Sequence, residues 1–277
     1  FPIVISTFEK TPQLGYGMGV TVCAVIGFIG CFFSYKFTEE RCTTENKKQV
    51  EDAKITDIFE VFAKNRAFMA LAIHGVCQGL TMAISQTMGT YMFSDVLGNL
   101  ALMSVSTILT MPLSILVLVF SPQLVKKMGS VNLICRSTLI GAGIYVILFV
   151  LHIMTDVNAW THIILSALAG SFTSIGVMMQ WGLVGETIDY NEYLLGKRTE
   201  GTIYGTFNML RRLGQAIGAA SGVALLGWIG YDVALSNAGL PQSTTTILGI
   251  KVLCVLMPAI VSLGTWGAFR FVWNIKK

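Results

Sequence analysis

Seven apolar stretches, at 15–37, 67–93, 100–120, 131–151, 161–184, 202–230 and 246–273, set the terms for this chain. Each is long enough to cross the roughly 30 Å hydrocarbon core of a bilayer, which takes about 20 helical residues. Lipid offers the backbone no water to bond, so each stretch is expected to close its own hydrogen bonds as a helix. Composition agrees. Of the 277 residues 12% are charged, whereas a soluble domain carries about a quarter. So small a charged fraction does not cover a water-facing surface of that size. The expected fold class is an all-α integral membrane protein.

The connections differ in charge. The segment 38–66 carries Arg41, Lys47, Lys48, Lys54, Lys64 and Arg66, and the next connection, "SDVLGN", has no basic residue. Lys126 and Lys127 follow, then "TDVNA" with none, then Lys197 and Arg198, then 231–245 with none, and the chain ends in Lys276 and Lys277. Basic clusters on alternate connections obey the positive-inside rule. The expected topology has the N-terminus outside the cell membrane, seven crossings and a cytoplasmic C-terminus.

Six stretches follow the long basic segment and one precedes it. That suggests the six-helix second half of a two-halved transporter. The expected organisation is 1–37 as the end of an N-terminal half, 38–66 as a cytoplasmic linker, and 67–277 as a C-terminal six-helix bundle. The opening "FPIVISTFEK" has no initiator methionine, basic n-region or cleavage site, so the chain reads as beginning inside something larger. In the linker, Ile55, Ile58, Phe59 and Phe62 recur at helical spacing with Asp57, Glu60 and Lys64 opposite. This predicts a short amphipathic helix lying on the membrane face or against helix ends.

Polar residues inside the spans carry the functional signal. Charge at the centre of a membrane helix costs roughly 2.5–3.5 kcal/mol on insertion scales, so it usually faces a cavity. In "YGTFNMLRRLGQAIGAASG" (204–222) the adjacent Arg211 and Arg212 stand in an otherwise apolar run. At about 1.5 Å per residue, Arg212 lies roughly 16 Å from the cytoplasmic edge near Gly201, close to mid-membrane. Tyr204, Asn208, Arg211 and Gln215 share one helical stripe, with Arg212 at its edge. Gly214, Gly218 and Gly222 form a smooth ridge beside it, on which another helix can lean. Two readings stand: a cavity-lining stripe, or arginines satisfied by carbonyls within the bundle.

Elsewhere, His74, Gln78 and Gln86 lie on the 67–93 stretch, and Gln180 and Trp181 on 161–184. His74 reads as a hydrogen-bonded packing residue or a proton relay. Trp181 reads as a platform for a ring-shaped ligand or an interfacial aromatic. Pro112 and Pro258 are expected to kink their spans. The six cysteines read as small buried hydrophobes without zinc-type spacing, and His74, His152 and His162 are too scattered in sequence for a metal site. No nucleophile–base pair or phosphate loop is present, so the chain reads as no enzyme. Its basic residues sit in short clusters between apolar runs, which is no nucleic-acid signal.

One segment carries a resemblance. "GETIDYNEYLLGKRTEGTIYGTFNMLRRLGQAIGA" (185–219) resembles the glycoside–pentoside–hexuronide:cation symporters of the major facilitator superfamily. Their pattern runs A-D-x-x-D-Y, then G-x-R-x-E-G, then K-L-G-Q-A. Glu186, Asp189 and Tyr190 fill the first part, Gly196, Arg198, Glu200 and Gly201 the second, and Arg212 to Ala216 the third. "NRAF" (65–68) and "FPIVISTF" (1–8) also look like family segments. Two residues depart, Arg212 for lysine and Glu186 for aspartate. The sign of charge is kept, but arginine holds its proton, which disfavours a role that requires losing it.

The resemblance implies a cation-coupled sugar or glycoside symporter working by alternating access, with its site at mid-membrane between two halves. Expected substrate-binding residues are Arg212, with Arg211 second, then Asn208, Gln215, Tyr204, Trp181 and Gln180. The coupling cation, Na+ or H+, is expected mainly in the missing N-terminal half. Glu186, Asp189, Arg198 and Arg136 are expected to pair as a cytoplasmic gate. A same-fold carrier of a lipid or amphiphile, and a non-transporting receptor or assembly protein, remain open alternatives.

Overall fold

The computed structural model describes residues 12–39, 55–196 and 199–275. The chain divides into two units, Phe1–Glu51 and Asp52–Lys277. The first contains helix α1 (Pro12–Phe37), whose described side chains are almost all exposed. A helix apolar all round and uncovered by its own unit is suited to lipid or to neighbouring helices.

The second unit is an all-helical bundle: α2 (Ile55–Lys64), α3 (Arg66–Tyr91), α4 (Ala101–Met128), α5 (Ser130–Met154), α6 (Ala159–Leu195), α7 (Glu200–Trp228), α8 (Val233–Asn237), α9 (Thr244–Lys251) and α10 (Met257–Gly267). Single π turns at Met92–Val96, Val252–Leu256 and Ala268–Val272 continue α3, α9 and α10. The α4–α5 turn is made by Gly129 alone at φ 79°, and α6 ends on Gly196 at φ 68°. Both are left-handed positions that glycine adopts without strain.

Among the described residues six segments are long and apolar enough to cross a membrane: Gly17–Phe37, Arg66–Val96, Ala101–Met128, Ser130–Met154, Ala159–Leu195 and Thr244–Val272. The sequence led us to expect seven. The missing one is α7, a helix of 29 residues whose arginines, amides and small residues lower its apolarity below the others.

Contacts fix the helix directions. Gly75, Gly79, Leu80 and Thr87 of α3 meet Phe207, Arg211, Gly218 and Gly222 of α7 in ascending order, so these two helices run parallel. Asn65 and His74 meet Asn191 and Gly176 in descending order, so α6 runs antiparallel to α3. One core cluster, with Phe68, Leu71, Ile134, Leu183, Ile203 and Phe207, joins α3, α5, α6 and α7. A smaller one around Ile84, Met88, Leu226 and Leu253 holds the opposite end.

The short helix expected in the linker is α2. It packs through Val61, 1% exposed, and Phe62, whose ring stands 5.0 Å from that of Phe68, while Phe59 is 71% exposed. The side chains of Ile55 and Asp57 lie outside what is described. One expectation needs correction. The cysteines are not buried: Cys23 and Cys31 are exposed and Cys77, Cys135 and Cys254 half-buried, all free thiols, with Cys42 outside the described residues. A lipid-facing surface accepts a thiol as readily as a core does. Two histidines ten residues apart meet in the fold. His152 Nε2 and His162 Nδ1 stand 3.0 Å apart, buried across the α5–α6 hairpin, where Lys251 donates to the His152 carbonyl at 2.9 Å.

Candidate functional site

The glycine ridge decides which way α7 faces. A Cβ on Gly214 would overlap the Val76 carbonyl oxygen, one on Gly218 would lie 2.8 Å from that of Leu80, and one on Gly79 would overlap the Arg211 carbonyl oxygen. Backbones this close leave α7 no freedom to rotate about its axis. Ile203, Phe207, Gly214, Gly218, Gly222 and Leu226 are therefore buried. The stripe lies beside this contact: Asn208, Arg211 and Gln215 are half-buried, while Tyr204 and Arg212 are exposed.

The two arginines have different surroundings. Arg211 places its guanidinium carbon 5.8 Å from the centre of the Trp181 ring, which reaches across from α6, and its Nε is buried without a hydrogen-bond partner. Trp181 also stands 5.8 Å from each of the Tyr204 and Phe207 rings. Arg212 donates from Nη1 to Gln215 Oε1 at 3.3 Å, and Gln215 Nε2 donates to the Met82 sulfur of α3 at 3.6 Å. Asn208 Nδ2 donates to the Tyr204 carbonyl at 3.2 Å. Among the described residues no carboxylate lies within ion-pair distance of either guanidinium. Arg211 thus sets a permanent cation at an aromatic face, and Arg212 next to it in sequence leaves donors over for an anion.

The structure brings together Arg211, Arg212, Gln215, Asn208, Tyr204 and Trp181, but it sets Gln180 apart. That residue is 2% exposed, and its side-chain oxygen has no hydrogen-bond partner. One residue along a helix turns about 100°, so Gln180 and Trp181 cannot share the open face. Met82 was not anticipated, because an exposed methionine in an apolar run carries no distinctive signal.

Of the expected gate residues, Arg198 lies outside the described residues. Glu186 borders a groove of about 570 Å3 shared with Arg270, Asn132 and Trp273. Asp189 is exposed on the same helix, and Arg136 donates to the Met128 sulfur at 3.2 Å. A different device ties this end together. Buried Asn65 accepts from the Phe68 backbone N–H at 2.9 Å, capping α3, and donates to the Thr187 carbonyl at 3.2 Å and to Asn191 Oδ1 at 3.3 Å. Asn191 in turn donates to Thr199 Oγ1 at 2.9 Å. One amide therefore links α3, α6 and the approach to α7, which gives "NRAF" a physical reason.

Residues 1–275 match the family described as MFS/sugar transport protein. The chain is 31% identical to the uncharacterized symporter YjmB of Bacillus subtilis, over 90% of this chain and 52% of that protein. It is 27% identical to a glucuronide carrier protein homolog of Escherichia coli, over 88% and 51% respectively. It is 25% identical to a proposed sulfoquinovose importer of Salmonella typhimurium, over 100% and 58%. The chain therefore spans about half the length of the curated relatives it matches. An all-helical bundle with six membrane-spanning candidates, a three-part block at 185–219 and this match along nearly its whole length agree: the chain belongs to the glycoside–pentoside–hexuronide:cation symporter family of the major facilitator superfamily.

Proposed function

We propose that this chain is the C-terminal half of a symporter in the cell membrane that moves an acidic sugar together with Na+ or H+. The observation that carries this reading is the pair Arg211 and Arg212, which lack carboxylate partners among the described residues, with Arg211 beside the Trp181 ring. A sugar needs fixed hydrogen-bonding groups and an aromatic platform, and Asn208, Gln215, Tyr204 and Trp181 supply this half's share. An acid group on the sugar matches two guanidinium forks. Two relatives bear the names of such sugars, a glucuronide and sulfoquinovose.

Charge arithmetic favours symport. Carrying one negative charge inward against the membrane potential costs about 2.3 kcal/mol per 100 mV. A cation that travels with the solute removes that cost. The cation's carboxylate ligands belong to the half outside this chain, where one of them would also face Arg212 when no solute is bound. Glu186, Asp189, Arg198 and Arg136 would pair at the inner end when the pathway closes inward. Exposed pairs of this kind contribute about 1 kcal/mol or less each, enough to bias a rocking equilibrium.

Counterflow of methyl β-glucuronide by the full-length protein tests the reading. Wild type should exchange it well above a matched neutral methyl β-galactoside, and Arg212→Gln should lose at least tenfold while remaining in the membrane. Equal exchange of the two sugars, or normal accumulation by Arg212→Gln, would reject it.

A further inference from the structure

Behind the stripe, between α3, α5, α6 and α10, lies a chamber of about 240 Å3. Polar groups stand among its apolar lining: His74, Gln78 and Thr81 come from α3, Thr138 from α5, and Thr173 and Ser174 from α6. Such groups inside a membrane bundle are unfavourable unless something bonds to them.

Four of its hydroxyls give their protons to their own helices. Thr81 donates to the Cys77 carbonyl at 3.0 Å, Thr138 to that of Ile134 at 2.7 Å, Thr173 to that of Gly170 at 3.0 Å and Ser174 to that of Ser171 at 2.8 Å. A hydroxyl whose proton is committed to its own helix presents only lone pairs to a visitor. His74, 3% exposed, has Nδ1 3.4 Å from Thr265 Oγ1, and its Nε2 has no hydrogen-bond partner. The chamber thus presents these acceptors beside the Gln78 amide and the Tyr145 hydroxyl, which can donate as well as accept. It is lined by no carboxylate, lysine or arginine. A bare cation would have no counter-charge there, whereas an uncharged hydroxyl donor meets its match.

The mouth adjoins the arginines. Met82 lines the chamber, is 48% exposed, and accepts through its sulfur the Gln215 hydrogen bond whose other end holds Arg212. An unbranched thioether makes an adaptable partition. The volume equals roughly eight waters at about 30 Å3 each, room for the hydroxyl-bearing edge of a pyranose ring.

We propose that this chamber is a subsite for the uncharged, hydroxyl-bearing end of the solute whose acid group sits at Arg211 and Arg212, and that water occupies the same positions when solute is away. The proposal rests on the acidic-sugar reading above. Cys77 lines the chamber and reports on it, because a thiol reacts as thiolate and needs water around it.

In the full-length protein with Cys77 as its only cysteine, 2-aminoethyl methanethiosulfonate should label that thiol, and saturating methyl β-glucuronide should slow labelling at least fivefold. Met82→Cys in a protein without other cysteines should behave alike. An unreactive Cys77 beside a reactive Met82→Cys would mean a dry chamber and overturn the proposal. Protection at Met82→Cys alone would mean water only, overturning the subsite while the acidic-sugar reading stands. Protection at neither would defeat both. Thr81→Val, nearly isosteric and free of cysteine changes, should raise KM for methyl β-glucuronide at least threefold with kcat retained; an unchanged KM would also overturn the proposal.

Discussion

The guanidinium of Arg211 lies 5.8 Å from the centre of the Trp181 ring, so the cation that the sequence placed in mid-helix is partnered by an aromatic face from a different helix. This contact joins α6 to α7 at the level of the polar stripe. It gives Trp181 a partner within the bundle. Its ring lies between Arg211 and Tyr204, with Phe207 edge-on.

Removing that face should cost affinity rather than folding. A cation–π contact is worth about 0.5–2 kcal/mol depending on desolvation, which corresponds to roughly 2- to 30-fold in binding. Trp181→Ala is expected to raise KM for methyl β-glucuronide within that range, and Trp181→Phe to recover most of it. Uptake kinetics at matched expression check this, and an alanine variant with wild-type KM would refute it.

The two arginines should differ in their tolerance of lysine. Arg212 is exposed and held through a single amide, Gln215, so Arg212→Lys should keep transport within about fivefold, since a point charge suffices to meet an anion. Arg211 stands over an aromatic ring, where a guanidinium can stack and an ammonium cannot. Arg211→Lys is expected to lose about tenfold or more. The reverse ranking in an uptake assay would assign the anion to Arg211 alone.

Helix packing should be intolerant at the glycine ridge. Gly214→Ala sets a methyl onto the Val76 carbonyl, and Gly79→Ala does the same to that of Arg211. Overpacking costs typically 1–3 kcal/mol, so either variant should lower the Tm in detergent by several degrees. Gly227→Ala is the control, because a Cβ there meets nothing within 4 Å. A ridge variant as stable as this control would contradict the close approach.

Asn65 separates capping from cross-linking. Asn65→Asp keeps the acceptor for the Phe68 N–H but loses both donations, to Thr187 and Asn191, whereas Asn65→Ala loses all three. Buried hydrogen bonds left unmade cost about 1–3 kcal/mol. Both variants should be destabilised in thermal unfolding. Cysteines placed near residues 65 and 191 should then cross-link more slowly in each, and unaltered cross-linking would dispute the tie between α3 and α6.

Much of the fold was legible because lipid simplifies the rules. Uniform apolar runs have one hydrogen-bonding solution, so the elements from α3 to α6 fall where their runs predict them, with α6 extending to Leu195 beyond its expected end. Local periodicity also put Tyr204, Asn208, Arg211 and Gln215 on one face and the glycines beside them. It also found α2, although the burial of Val61 followed from the position of α3. It could not pair His152 with His162, whose meeting depends on the register of a hairpin.

Sequence alone therefore determined the class of solvent, the helical elements and the presence of fixed charge among apolar residues, because each follows from the transfer energy of residues close together along the chain. Only the tertiary structure decided what those charges face. The near-contact of Gly79 and Gly214 with the opposing backbone sets the rotation of α7, and that rotation places Arg211 over Trp181 and brings Gln215 to Met82. Such choices depend on shape complementarity between distant segments, which no local pattern encodes.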